Sequence, residues 1–488
     1  MTMLIVRHYL PEGIKPTLYE ATIPNELCEE YWMGTYLNGE KIGYSHRKIT
    51  ELNNGYRISE ILKVRLKMMG IEKDIFTNMD AEIDRQFRLL SFVFRLRSDI
   101  NTEIKGRVEG KNLLVSINTG GLTSSQTIPL REPPYLNLSV VPDILKKRLK
   151  SGHKVSIPVI DPSTLSQDNM NIEVIGKDSI MSMGKRQDTY KIKIIFKGVE
   201  TFTWLTEKGE VLREESPMGF TLVKETKESA IQPGKPSIDL IAQAAITFNI
   251  KLPPDTIYLK VRLSGVDLKS IELDGGRQTL KGDILEIRKE SLDDENRVSP
   301  PARGGADDST PHRGSDIPKA FGTDLSQRGF PDEYLKETMF IQSKDPAVVS
   351  LTKDIIGDEK DRLKLTRLIY EWVYKNIKKV QTISLPMATE VLRMGQGDCN
   401  EHATLFTALA RAAGIPARIA VGLTYKDGFF YYHAWPEVYL NEWVAVDPTL
   451  GQFPADAAHI RLLTGDIDKQ LHLLTIIGKL RLEGIEYH

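Results

Sequence analysis

Cysteine is nearly absent: the chain has 488 residues and two cysteines, Cys28 and Cys399. That excludes a disulfide framework and any multi-cysteine zinc or iron–sulfur module. Long apolar runs are missing too. No stretch approaches the roughly 20 apolar residues of a membrane span, so no integral membrane segment is expected. Met1–Arg7 contains four consecutive apolar residues, against about 7–15 in a secretory signal. Read as it stands, the chain is expected in the cytoplasm; a truncated start would instead allow export, for example to a periplasm. Charge of one sign is also lacking. Lys+Arg total 65 and Asp+Glu 66, a net charge of −1, so no nucleic-acid partner is expected. There is no Gly-x-Ser-x-Gly elbow, no His-Glu-x-x-His and no Walker loop. Gly395-Gln-Gly-Asp-Cys-Asn400 begins like a dinucleotide fingerprint, but Asn400 stands where its last glycine belongs and no strand precedes it. No cofactor is expected. Cys28 sits in a polar setting, Pro24-Asn-Glu-Leu-Cys28-Glu-Glu, without the apolar run that a lipid-anchored cysteine needs upstream.

What is present divides the chain. Residues 1–30 form an N-terminal segment. Over 31–232 the dominant period is two. Tyr190, Ile192, Ile194 and Phe196 alternate with Lys191 and Lys193, and Glu109-Gly110-Lys111 separates two alternating runs. This predicts a large antiparallel β domain, a sheet or open barrel, with a short helix near Pro142–Leu149. Residues 233–290 read as a small β domain or a continuation of the first. Ile257, Leu259, Val261 and Leu263 alternate with polar neighbours, and Asp274-Gly275-Gly276 marks a turn. Residues 291–330 are rich in Asp, Ser, Pro, Gly and Arg, the composition of a flexible linker. Beyond it, over 331–488, the period becomes helical. Asp345-Pro346 offers an N-cap and a proline at the first helical position. Leu365, Leu368, Ile369, Trp372, Val373 and Ile377 mark the apolar stripe of a second helix, from about Glu359 to Lys378.

The chemistry concentrates in Gly395-Gln-Gly-Asp-Cys-Asn-Glu-His402. Asp398 is a natural N-cap for a helix over 399–413, stopped by Gly414-Ile-Pro416. Cys399 then occupies the first turn, where the positive end of the helix dipole favours a thiolate and should lower the thiol pKa. Gly395 and Gly397 are expected to turn the backbone tightly and leave room for a substrate. Three strands follow, Ala417–Tyr425, Phe429–Leu440 and Trp443–Pro448, the first two joined at Asp427-Gly428, a tight-turn pair. His433 lies in the middle strand and Asp447 near the end of the third. By itself a strand histidine is more often a packed or surface residue, and Asp447 before Pro448 could equally form a turn. A two-residue turn at 441–442 puts His433 and Asp447 on opposite faces. A three-residue loop at 440–442, pairing 439 with 443, or a bulge near Pro436, puts them on one face.

Cys399 in Gly-Asp-Cys-Asn-Glu-His, Ala410–Arg418, His433 in Tyr-His-Ala-Trp-Pro-Glu-Val and Asp447 in Trp-Val-Ala-Val-Asp-Pro-Thr together resemble the core of the transglutaminase-like superfamily. The resemblance runs from about Phe330 to the C-terminus. It implies a papain-like α+β domain, and Cys399, His433 and Asp447 as nucleophile, base and orienting acid. It implies cysteine-dependent acyl transfer on a protein or peptide substrate, with the N-terminal β region as an accessory domain. Hydrolysis is favoured over cross-linking of glutamine to amines because it needs no second binding site. The Cys399 backbone N–H is a natural oxyanion donor; Trp372, Tyr374 and Asn376 are weak candidates for a second. The rival readings are a metal site of Cys399, His402, His433 and Asp447, an unusual ligand set for structural zinc, and a binding scaffold without catalysis. No metal is expected, and the sequence specifies no binding residues or oligomeric state.

Overall fold

In a computed structural model of the chain the described residues are 30–136, 149–292, 332–466 and 470–488. Cys28, most of the expected 142–149 helix and nearly all of the 291–330 segment lie outside them. Fifteen strands among the described residues, β1 (Glu30–Leu37) to β15 (Phe220–Glu225), build one sheet. Two meanders meet where β1 pairs antiparallel with β15, Thr35 opposite Leu222. All neighbours are antiparallel except β9 (Tyr135–Leu136) and β10 (Lys154–Asp161). Period-two alternation explains the sheet: Ile192, Ile194 and Phe196 of one arm are buried together with Ile58, Ile104 and Val115 of the other. The two arms therefore share an apolar core, which requires the sheet to curl upon itself.

Two short helices follow, α1 (Lys227–Ala230) and α2 (Leu240–Ala244). Strand β16 (Ile246–Thr247) joins the C-terminal sheet. Strands β17 (Tyr258–Ser264), β18 (Gln278–Lys281) and β19 (Ile284–Arg288) form a small sheet. Its fourth strand comes from the end of the chain: β26 (Arg481–Tyr487) pairs with β17. Leu259, Val261 and Leu285 of this small sheet lie in the same core as Ile369, Leu405 and Phe406.

The helices are α3 (Pro346–Ile356), α4 (Arg362–Asn376), α5 (Ala388–Met394) and α6 (Cys399–Ala412). Asp345 caps α3, accepting from Ala347 N at 2.8 Å. Asp361 caps α4, accepting from Lys364 N at 2.9 Å. Two-residue strands β20 (Lys378–Lys379) and β21 (Gln396–Gly397) pair in parallel just ahead of α6. Helix α6 packs on the sheet of β22 (Ala417–Lys426), β23 (Phe429–Tyr439), β24 (Trp443–Ala445) and β25 (His459–Thr464), ordered β16–β23–β22–β25 with β24 on β23. Asp427 and Gly428 take φ of 50° and 90° in the turn between β22 and β23, as its sequence requires.

The N-terminal sheet touches the segment leading to α6. Ser98 Oγ donates to the Ile383 carbonyl at 2.5 Å, and Asp99 accepts from Ile383 N at 3.0 Å. Phe340 and Met387 enter the core of the large sheet. A groove of about 890 Å³ on that sheet is lined by Arg57, Glu82, Ser91, Lys105, Arg107 and Ser125, among others, and by none of residues 332–488. No helix of the described residues is long and apolar enough to cross a membrane.

Candidate active site

Helix α6 begins where its sequence says. The Asp398 carboxylate accepts from Asn400 N at 2.8 Å, and the Glu401 side chain accepts from Asp398 N at 2.9 Å, a closed capping box. Such a cap contributes about 1 kcal/mol. Ser384 Oγ donates to Glu401 at 2.5 Å. The segment gripped by the N-terminal sheet thus braces the start of α6, which carries Cys399. Gly397 makes room for this box rather than for a substrate: a Cβ there would run into the Glu401 side chain.

The register condition is met. Tyr439 pairs with Trp443 and Glu437 with Ala445, which leaves the three-residue loop 440–442. His433 and Asp447 share a face, with His433 Nε2 at 2.7 Å from Asp447 Oδ2. Cys399, half-buried at the first position of α6, neighbours His433, and each group shifts the titration of the other. Because Nε2 faces Asp447, the Nδ1 side is the one left for the thiol. The Ala434 backbone N–H also acts to favour the thiolate. Asp447 does form a turn as well: its Oδ1 accepts from Thr449 N at 2.7 Å and Leu450 N at 2.8 Å. The turn and the contact with His433 are compatible because they use different oxygens.

The electrostatics depart from the helix-dipole expectation in one respect. Burial and the neighbouring Asp398 push the Cys399 thiol up, outweighing His433 and the Ala434 N–H. Burial and Glu401 in turn hold the Asp398 carboxyl well above its ordinary range. Burial pulls His433 down, but Asp447 and Cys399 overcome it and raise the ring to about 9. Burial pushes Asp447 up, yet His433 and His459 hold it far below the usual carboxylate range. Asp398→Asn keeps a cap oxygen but removes the charge. It should therefore move the pH midpoint of Cys399 alkylation by iodoacetamide downward by roughly half a unit or more. An unchanged or higher midpoint would contradict this balance.

One residue at the centre was not singled out from the sequence. His459 of β25 places Nε2 at 3.0 Å from Asp447 Oδ2 and Nδ1 at 2.9 Å from Asp456 Oδ1. The signal available was Gly422, a glycine inside a strand, which marks close backbone approach. A Cβ at Gly422 would collide with the Ile460 carbonyl, so the glycine lets β25 lie tightly against β22 and bring His459 in.

His402 does not join the cluster. It is fully buried, with ring nitrogens 2.7 and 3.2 Å from the Asp398 and Ile377 carbonyl oxygens, which takes it out of the four-ligand metal reading. His433, Asp447 and His459 each offer an atom, all within 4.8 Å of one another. Both imidazoles aim Nε2 at the same Asp447 oxygen, an arrangement that suits two N–H donors on one carboxylate. A bound cation would have to displace both protons. Of the weak oxyanion candidates, Asn376 donates back to the Trp372 carbonyl at 2.8 Å. Trp372 packs against the core, and Tyr374 stacks on Tyr370 with centroids 6.1 Å apart.

Residues 349–448, which include Cys399, His433 and Asp447, match the Transglutaminase-like superfamily. The chain carries a transglutaminase-like domain. An uncharacterized protein of Haemophilus influenzae is 36% identical over 99 residues, covering 19% of this chain and 26% of that protein. The match thus spans about a quarter of that relative. Among solved structures, a candidate cysteine protease from Cytophaga hutchinsonii aligns over 50% of this chain and 83% of its own, at 17% identity and a TM-score of 0.28. A β-barrel-like domain of unknown function from Brucella abortus aligns over 40% of this chain and 94% of its own, at 11% identity and a TM-score of 0.32. The transglutaminase-like domain is where all three sequence-derived site residues lie, and helix α6 with strands β22 to β24 supplies the frame around them.

Proposed function

We propose that the protein is a cysteine-dependent acyl-transfer enzyme acting on peptide or amide substrates, with a papain-like arrangement of residues 331–488 and an accessory β domain over 31–232. One observation carries this reading: His433 Nε2 sits 2.7 Å from the buried Asp447 carboxylate, which leaves the Nδ1 side of the ring to the neighbouring Cys399 thiol. The Cys399 sulfur attacks the carbonyl carbon while its proton passes to His433. The negative charge that develops on the carbonyl oxygen faces the Cys399 backbone N–H at the helix start. The carbon–nitrogen bond then breaks, His433 gives its proton to the leaving amine, and a thioester remains. Asp447 fixes the imidazole tautomer and stabilises the imidazolium. Water, deprotonated by His433, resolves the thioester and returns Cys399 to the thiol. Hydrolysis is preferred over transamidation because it requires no acceptor site.

The test is incubation with a glutamine-containing protein and a labelled primary amine, followed by mass spectrometry. The expected result is cleaved or deamidated product without stable label, lost in Cys399→Ala. Stable incorporation of the amine, lost in the same variant, would establish transamidation instead. A binding role without catalysis is favoured only by the groove on the N-terminal sheet. Product formation that depends on Cys399 would reject it.

A further inference from the structure

We propose that His459 is a positioning residue of this reaction, a resident imidazolium clamped between Asp447 and Asp456 that aims Asp447 at His433 and tempers its pull on that ring. The inference rests on the catalytic reading of Cys399, His433 and Asp447 and extends it by a second shared hydrogen-bond pair.

The geometry leaves little choice of protonation. Both His459 nitrogens face carboxylate oxygens, at 3.0 Å for Asp447 and 2.9 Å for Asp456. A neutral imidazole carries a single N–H and would leave a nitrogen lone pair against an anionic oxygen. The imidazolium donates to both. Burial opposes its charge, but Asp447 and Asp456 prevail and raise its pKa; Asp456 is itself held down chiefly by His459 against burial. His459 is fully buried, so a charge there has to be paired. From Cys399 through His433, Asp447 and His459 to Asp456, potential anions and cations alternate.

The far end of this chain is fixed from outside the catalytic sheet. Asp456 Oδ2 accepts from Gln452 Nε2 at 2.9 Å. Arg277, in the turn before β18, donates to the Ala455 and Asp456 carbonyls at 2.7 and 2.8 Å. The other group facing His459 is Trp435 of β23, edge-on with centroids 5.1 Å apart. The His433 ring lies 6.0 Å away. Two imidazoles thus share one Asp447 oxygen. A positive charge on His459 offsets part of the attraction that would otherwise make His433 still more basic. An imidazolium held too firmly is a poor proton donor to a leaving amine.

The test reads His433 directly. Full-length Cys399→Ala protein with isotope-labelled histidine is titrated by NMR, with and without His459→Gln. Loss of the nearby cation should raise the His433 midpoint by roughly half a unit or more. Asp456→Asn, which loosens the proton on His459, should move it the same way by less. In the cysteine-bearing enzyme, His459→Gln should lower kcat for p-nitrophenyl acetate hydrolysis about tenfold or more, with KM changed less than about twofold. A merely structural role would reduce the folded fraction without raising the midpoint. An unchanged or lower midpoint in folded His459→Gln, or an unchanged kcat, overturns the proposal. If His459→Gln does not fold, Asp456→Asn decides: an upward shift supports the proposal and no shift overturns it. An active Cys399→Ala enzyme would instead remove the catalytic reading, and the His433 titration would remain readable on its own.

Discussion

Cys399→Ala is expected to abolish turnover, by at least about 10⁴-fold in kcat, while the protein keeps its fold. In the proposed reaction the sulfur is the atom that forms the thioester. Folding should survive because the helix start is held by the Asp398–Glu401 box rather than by the thiol. The alanine is also a good helix former at that position. The check is kcat alongside circular dichroism and thermal unfolding of the same preparation. Full turnover in a folded Cys399→Ala protein would end the account.

Asp447→Asn should lower kcat about 10³–10⁴-fold and also destabilise the fold. The carboxylate accepts four hydrogen bonds: two imidazole N–H on Oδ2 and two backbone N–H on Oδ1. An amide can present only one oxygen. Its NH₂ must therefore face either the imidazoles or the Thr449 and Leu450 amides, donor against donor, at about 1–3 kcal/mol for each buried group left unpaired. The variant also has a pH signature. Asp447 is the foremost opponent of the burial effect on His433, which stands at about 9 against an ordinary 6.5. A raised histidine pKa contributes stability that is fully present below the unfolded value and is lost as pH rises through about 9. Asp447→Asn should remove most of that alkaline loss. Unfolding curves from neutral pH to above 9 measure it, and an identical slope in both proteins would contradict the assignment.

The local parts of this site were legible in the sequence because they depend on neighbours a few residues away. Asp398 ahead of the helical run specified the cap. Asp427-Gly428 specified the tight turn. The single spacing choice at 440–442 decided whether His433 and Asp447 could meet, and the 439–443 pair resolved it. What was not legible came from distant strands. His459 reaches Asp447 only because β25 lies against β22, with a register shift at Val421 and Gly422. Nothing in Ala-Ala-His-Ile-Arg states that pairing. Arg277 and β26 enter through contacts far apart in the chain. The thiol's titration was not legible for the same reason. Its helix position favours ionisation, but burial is a property of the assembled fold, and it combines with the Asp398 charge to win. A period-two pattern likewise forecast strands, but not that fifteen of them would join in one curled sheet.

The central claim is that Cys399 carries the acyl group, and intact-protein mass spectrometry after brief exposure to p-nitrophenyl acetate, quenched in acid and followed by peptide mapping, tests it most directly. The account predicts a transient acetyl adduct on Cys399 that decays as product accumulates, is absent in Cys399→Ala, and is formed far more slowly in His433→Ala. Acetylation confined to Cys28 or to surface lysines, or an adduct on Cys399 that forms equally fast without His433, would contradict it.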